Sequence, residues 1–173
     1  MRECLSRISS TNRERKIVEV LIPIIDAVSC LHERGIIHRD IKPSNIMVQD
    51  GYLPQLMDLG VAKADYFFDA NLLGTVGSPP YAAPEQIVAQ DVEAVIDERS
   101  DIYSLGVTLS TLLDELDLDN KIGRSEEIQE IITRATQKCP DDRFASADQF
   151  KEALISYLYH EDIHEDRNIL LPV

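Results

Sequence analysis

The 173-residue chain lacks the features that announce a membrane, secreted or nucleic-acid-binding protein. No stretch approaches the ~18 consecutive apolar residues of a membrane span, and the N-terminus lacks the basic-then-apolar layout of a signal peptide. Neither an internal repeat nor a low-complexity linker is found. Cysteine is scarce. Cys4, Cys30 and Cys139 are odd in number and without metal-like spacing, which points to reduced thiols in a reducing compartment and hence to the cytoplasm. Basic residues are outnumbered, 17 Lys and Arg against 31 Asp and Glu, and the formal net charge is −14. That balance argues against nucleic acid as a partner, because its binding rests on Lys and Arg neutralising phosphates. Nucleotide binding stays open, since a site can be locally basic or bridged by a metal. The acidic groups gather at Asp114–Asp119, Glu126–Glu130 and Glu161–Asp166, where they read as solvated faces.

What is present reads as one soluble globular domain with one core. A helix is predicted from about Glu14 to Arg34. Thr11 and Glu14 have capping-box spacing, and Ile17, Leu21, Ile24, Val28 and Leu31 line one face. Gly35 is placed to end this helix in a left-handed conformation, and Pro23 predicts a bend or a weakened turn inside it. From Ile36 to Gly60 the period changes to short apolar pieces (Ile36-Ile37, Ile46-Met47-Val48, Leu56-Met57) between polar loops, as in small strands bracketing functional loops. Residues 61–83 show no period and read as a long loop. The run from Ile102 to Leu113 is apolar on nearly all sides and predicts a helix in the middle of the domain. Two amphipathic helices follow, one from about Glu126 to Lys138 after Ser125, the other after Ser146, where Ser146 and Gln149 again have capping-box spacing.

The chemistry is concentrated in His38-Arg39-Asp40-Ile41-Lys42-Pro43-Ser44-Asn45, just after the first helix. Phosphoryl transfer from a nucleotide asks little covalent chemistry of a protein. It needs a carboxylate to orient a hydroxyl, a cation on the migrating group and oxygen ligands for magnesium. Asp40, Lys42 and Asn45 offer these in order, and Asp58 adds a second hard oxygen ligand.

This run resembles the catalytic loop of protein kinases. Asp58-Leu59-Gly60 is similar to the family's magnesium motif with Leu in place of Phe, and Ala83-Pro84-Glu85 matches the motif that closes its activation segment. Asp101 with Ser104 and Gly106 resembles the start of the central helix, and Arg143 resembles a late arginine. The resemblance covers about residues 14 to 158 and implies a mainly α fold. The expected architecture is a kinase C-terminal lobe, a helical bundle around a buried central helix with a few short strands carrying the catalytic and metal loops. It divides the chain into that lobe at 1–159 and an acidic tail at 160–173.

By resemblance, Asp40 would orient the substrate hydroxyl, Lys42 would contact the γ-phosphate of ATP, and Asn45 and Asp58 would hold Mg2+. Glu85 and Arg143 would form a buried ion pair, Asp101 would bind backbone amides of the catalytic loop, and Leu59 would fill an apolar slot. Lys42 together with Ser78 is similar to Ser/Thr kinases rather than tyrosine kinases, and the wording of the motifs resembles the eukaryotic-like kinases of bacteria. The implied partner is a protein with a Ser or Thr acceptor. Arg39 before Asp40 suggests activation by loop phosphorylation, with Thr75 as the candidate acceptor.

His160-Glu161-Asp162-Ile163-His164 formally matches the zinc-protease motif H-E-x-x-H, but the chain ends nine residues later and the segment reads as a solvated tail. The glycine-rich loop, strand lysine and helix glutamate of a kinase small lobe are not in this sequence. The chain is therefore expected to bind ATP weakly by itself. Without the small lobe, apolar surface near Met47 and Leu59 should be exposed and favour self-association. A non-catalytic scaffold built on a kinase lobe is the alternative reading. The short stretch Asp117–Ser125 suggests that a docking helix used by many kinases is reduced.

Overall fold

The computed structural model describes residues 13–49, 53–59, 63–64, 78–88, 96–116 and 124–169. Helix α1 spans Arg13–His32. Its apolar stripe is wider than the predicted one, because Val18 and Ile25 are buried beside Ile17, Leu21, Ile24 and Val28. The helix runs through Pro23, and the turn there lacks the N–H that would reach the Glu19 carbonyl. Gly35 takes the left-handed conformation expected of it, with φ 65°, three residues beyond the helix end. Thr11 lies outside the described residues. Glu14 spends its carboxylate on tertiary contacts, accepting from the Ser125 N–H at 3.1 Å and the Tyr157 hydroxyl at 2.9 Å.

Four two-residue strands follow, β1 (Ile36–Ile37), β2 (Ile46–Met47), β3 (Gln55–Leu56) and β4 (Lys63–Ala64). They form two antiparallel pairs, β1 with β4 and β2 with β3. Helix α2 (Pro84–Val88) is short, and helix α3 (Arg99–Leu116) is the central one. Ile102, Leu105, Leu109, Leu112 and Leu113 are buried along α3, and so are Ser100, Asp101, Ser104 and Thr108 on its other sides. A stripe through Tyr103, Val107, Ser110 and Asp114 is partly or fully exposed, and a helix buried on its other sides sits in the middle of its domain.

Helix α4 (Glu126–Ala135) starts at Ser125, whose hydroxyl accepts from the Ile128 N–H, and buries Ile128, Ile131, Ile132 and Ala135. Helix α5 (Ala147–Ile169) opens on a reciprocal arrangement close to a capping box. Ser146 accepts from the Gln149 N–H at 3.2 Å, and the Gln149 side chain accepts from the N–H of Ala145, one residue earlier than expected. The boundary drawn at residue 160 does not mark the end of an element, since α5 continues unbroken to Ile169. Helices α1, α3, α4 and α5 share one core, in which Phe144 and Phe150 meet with ring centroids 5.4 Å apart.

Helices α3 and α4 cross closely at Gly106. A Cβ there would lie 2.7 Å from the Ala135 Cβ and 3.0 Å from the Thr136 Cγ2. Helix propensity favours Ala over Gly by about 1 kcal/mol, but overpacking a rigid contact costs about 1–3 kcal/mol. The near neighbour is a Cβ fixed to helix backbone, so repulsion wins. Gly106→Ala is expected to destabilise the protein by about 1 kcal/mol in urea denaturation. An unchanged or higher midpoint would show that the crossing can open.

Candidate active site

The loop after β1 makes a turn that few residues tolerate. Arg39 has φ 68°, in the left-handed region that disfavours L-residues with long side chains. Two backbone amides hold it there, with His38 N–H and Arg39 N–H donating to the two oxygens of Asp101, each at 2.8 Å. Asp101 is fully buried near the start of α3, so the central helix fixes the loop directly. The same carboxylate lies 2.8 Å from the Nε2 of His32, the last residue of α1. The role expected of Asp101 matches this geometry; His32 was not expected.

Because Arg39 turns the chain, Asp40 projects into a polar cluster. Its Oδ2 accepts from Lys42 Nζ at 2.7 Å and Asn45 Nδ2 at 3.0 Å, and its Oδ1 accepts from the Ser78 N–H at 3.0 Å. Lys42 also donates to the Ser78 hydroxyl at 2.6 Å. Burial alone would push the Asp40 carboxyl up, but hydrogen bonds from Lys42, Ser78 and Asn45 and the Lys42 charge outweigh it. The result is a carboxylate held below its ordinary value, ionised at neutral pH and able to accept a hydrogen bond from a hydroxyl.

Asn45 closes a 3-10 turn, Pro43–Asn45, that leads into β2. Its amide nitrogen is committed to Asp40, donating to the backbone oxygen at 2.8 Å as well as to the carboxylate. That orientation leaves the amide oxygen as the atom offered to a cation. The β2–β3 pair then brings Asp58 alongside. Ile46 pairs with Leu56, and the Met57 N–H donates to the Asn45 carbonyl at 2.8 Å, so residues 45 and 57 close the same ladder. Asp58 follows directly, exposed, and turned by a φ of 64°. Asp tolerates this conformation better than most residues. An amide oxygen and a carboxylate at one end of a hairpin fit the few hard protein ligands that Mg2+ takes beside phosphate and water.

Leu59 does not occupy an apolar slot. It is 54% exposed, and Met47 and Met57 beside it are 43% and 45% exposed. These exposures leave apolar surface at Met47 and Leu59, as expected.

Glu85 and Arg143 form the expected ion pair in two parallel bonds, NH1 to Oε1 at 2.7 Å and NH2 to Oε2 at 2.8 Å. Ser100 adds a third at 2.7 Å. Arg143 also donates to the carbonyls of Arg99, Gln137 and Lys138 and lies over the Tyr103 ring at 5.0 Å. Burial pushes the Glu85 carboxyl up, but the bonds from Arg143 and Ser100 and the guanidinium charge hold it below its ordinary 4.5. Thr75 lies outside the described residues. Of the H-E-x-x-H residues, the His160 side chain pairs with Glu127 at 3.0 Å, while the side chains of 161–164 lie outside the described ones. No group of three or more candidate metal ligands is found among the described residues.

This loop, hairpin and anchored segment define the large lobe of a protein kinase. Residues 2–167 match the protein kinase domain family, and the chain belongs to it. It is 34% identical to the serine/threonine-protein kinase Pkn1 of Myxococcus xanthus over 80% of this chain and 23% of that protein. A putative serine/threonine-protein kinase, R436 of Acanthamoeba polyphaga mimivirus, is 32% identical over 77% of this chain and 47% of its own length. The probable serine/threonine-protein kinase PknB of Bifidobacterium longum is 28% identical over 88% of this chain and 25% of that protein. The chain is thus a Ser/Thr protein kinase family member of bacterial type, and it spans between 23% and 47% of the length of these relatives.

Proposed function

We propose that this chain is the catalytic-loop half of an enzyme that transfers the γ-phosphoryl group of ATP to Ser or Thr hydroxyls of protein substrates. The observation that carries this reading is the convergence of Lys42 and Asn45 on the Oδ2 of Asp40, at 2.7 and 3.0 Å, with a hairpin that pairs the backbone of Asn45 with that of Met57, the residue before Asp58. Asp40 would accept a hydrogen bond from the substrate hydroxyl and take its proton as the oxygen bonds to the γ-phosphorus and ADP departs. Lys42, already placed between Asp40 and Ser78, would hold the migrating phosphoryl group through its charge. Asn45 and Asp58 would hold Mg2+, which supplies charge neutralisation on the phosphates.

The exposed face of Met47, Met57 and Leu59 supports a covering partner segment that carries the glycine-rich loop and strand lysine. In its absence the same face would promote self-association of this chain. The exposed, unbridged thiols of Cys30 and Cys139 suit the reducing cytoplasm in which we place the protein.

Thermal melting against Mg2+-ATP tests the reading. Anything that binds the folded state alone raises the melting temperature, by about 2.7 kcal/mol of stabilisation at a hundredfold excess over Kd. A Mg2+-dependent shift is expected, and Asp58→Asn should weaken it. No shift at millimolar nucleotide, with the covering segment supplied, would favour the non-catalytic scaffold.

A further inference from the structure

The Arg39 peptide is gripped from two directions. Its N–H is held by Asp101 from the central helix, and its carbonyl accepts from the Gln86 side chain at 3.1 Å. Gln86 is 4% exposed and sits on α2, next to Glu85 of the buried ion pair. The other end of its amide is also occupied, since Oε1 accepts from the Ala83 N–H at 2.9 Å. That bond fixes the amide so that Nε2 faces the Arg39 carbonyl. The carbonyl belongs to the peptide that joins Arg39 to Asp40, so its direction sets the direction in which the Asp40 side chain leaves the loop.

We infer that Gln86 is a positioning residue for Asp40, coupling the anchored end of the 78–88 segment to the catalytic loop through the left-handed Arg39 peptide. This rests on the proposed role of Asp40 for its effect on catalysis, though not for its effect on the loop. Arg39 at φ 68° is strained and stays there only while its surroundings over-determine it. Asp101 alone fixes the amide side of the peptide bond pair. Without Gln86 the Arg39 carbonyl loses this donor, and the Arg39–Asp40 peptide keeps the longer bond from the Asp40 N–H to His38 Nδ1, at 3.4 Å, beside the bonds that Lys42, Asn45 and Ser78 make to Asp40. When Pro84–Val88 is docked by Glu85 and Arg143, Gln86 is in place; when that helix leaves, the Arg39 carbonyl loses the Gln86 donor.

Gln86→Glu separates the two halves of the contact. A carboxylate still accepts from Ala83, but it offers no donor to the Arg39 carbonyl and sets two acceptors against each other. Amide hydrogen exchange of residues 38–42, read alongside phosphoryl transfer in the full-length protein, is the test. Exchange in 38–42 should quicken roughly tenfold or more in Gln86→Glu, with helices α3 and α5 unchanged. Phosphoryl transfer should lose kcat by a similar factor while KM for ATP holds. Lowering the pH protonates the buried Glu and restores a donor, so the ratio of mutant to wild-type exchange should shrink. Ile87→Ala, on the exposed side of the same helix, should leave 38–42 unchanged. Unchanged loop exchange in Gln86→Glu, or an equal increase in Ile87→Ala, would overturn the coupling. If the wild-type protein transfers no phosphate, the proposed function fails, while the exchange result still decides the role of Gln86.

Discussion

Asp40→Asn is expected to lower phosphoryl transfer by about 10²–10⁴-fold, the usual contribution of a positioned general base, while the melting temperature moves little. The Asp40 oxygens accept three hydrogen bonds from donors on both sides, Lys42 and Asn45 on one and Ser78 on the other. An Asn keeps the shape and can still face its oxygen to Lys42 and Asn45. Its NH2 must then point at the Ser78 N–H, so one hydrogen bond is lost, worth about 1 kcal/mol. The negative charge that would take the substrate proton is lost entirely. Rate and stability therefore separate, and measuring both on one preparation distinguishes a chemical role from a structural one. A drop in rate that merely follows unfolding would remove Asp40 from the mechanism.

The largest expected stability effect lies away from the chemistry. Arg143→Met keeps much of the volume but strands Glu85, and removing one partner of a buried pair costs about 3–5 kcal/mol. The Arg143 side chain is fully buried and that of Glu85 is 11% exposed, so solvent does little to compensate. The change also frees the carbonyls of Arg99, Gln137 and Lys138. Adding Glu85→Gln should recover part of the loss, because the stranded charge goes with it. Urea denaturation of the two single variants and the double variant measures this directly, and a cost below about 1 kcal/mol would place the pair among weak surface contacts.

The pH dependence follows from the same pair. The folded Glu85 carboxyl lies below its ordinary 4.5, so its stabilising contribution is present above that pH. It is lost as the pH falls below 4.5 through the folded value. In Arg143→Met the guanidinium no longer opposes burial. Glu85 then titrates at a higher pH than in the wild type, protonation relieves the stranded charge, and the stability gap between wild type and variant should narrow as the pH falls.

How much of this was legible depended on how local each feature is. His38–Asn45 is contiguous, and its residue types in that order state their chemistry, so the loop could be read before its geometry was known. The hairpin that carries Asp58 back to Asn45 needed only two short apolar pieces around a polar loop. Gln86 and His32 were not legible. Their partners are 47 and 69 residues away, and Gln86 acts on a backbone carbonyl whose direction no residue type reveals. Glu14 has capping-box spacing, yet its oxygens face Ser125 and Tyr157, because a tertiary partner can outbid a local one. The acidic stretch after Tyr159 read as a tail on charge alone. Charge does not break a helix, and no Gly or Pro follows Ala147 until Pro172, so α5 continues to Ile169.

Whether Asp40, Lys42, Asn45 and Asp58 form a working site comes down to transfer of labelled γ-phosphate from ATP to a protein substrate by the full-length protein, followed by phosphoamino-acid analysis. The expected result is Mg2+-dependent label on serine or threonine that disappears in Asp40→Asn. Label that persists in Asp40→Asn, or no label from folded, nucleotide-bound protein, would contradict it.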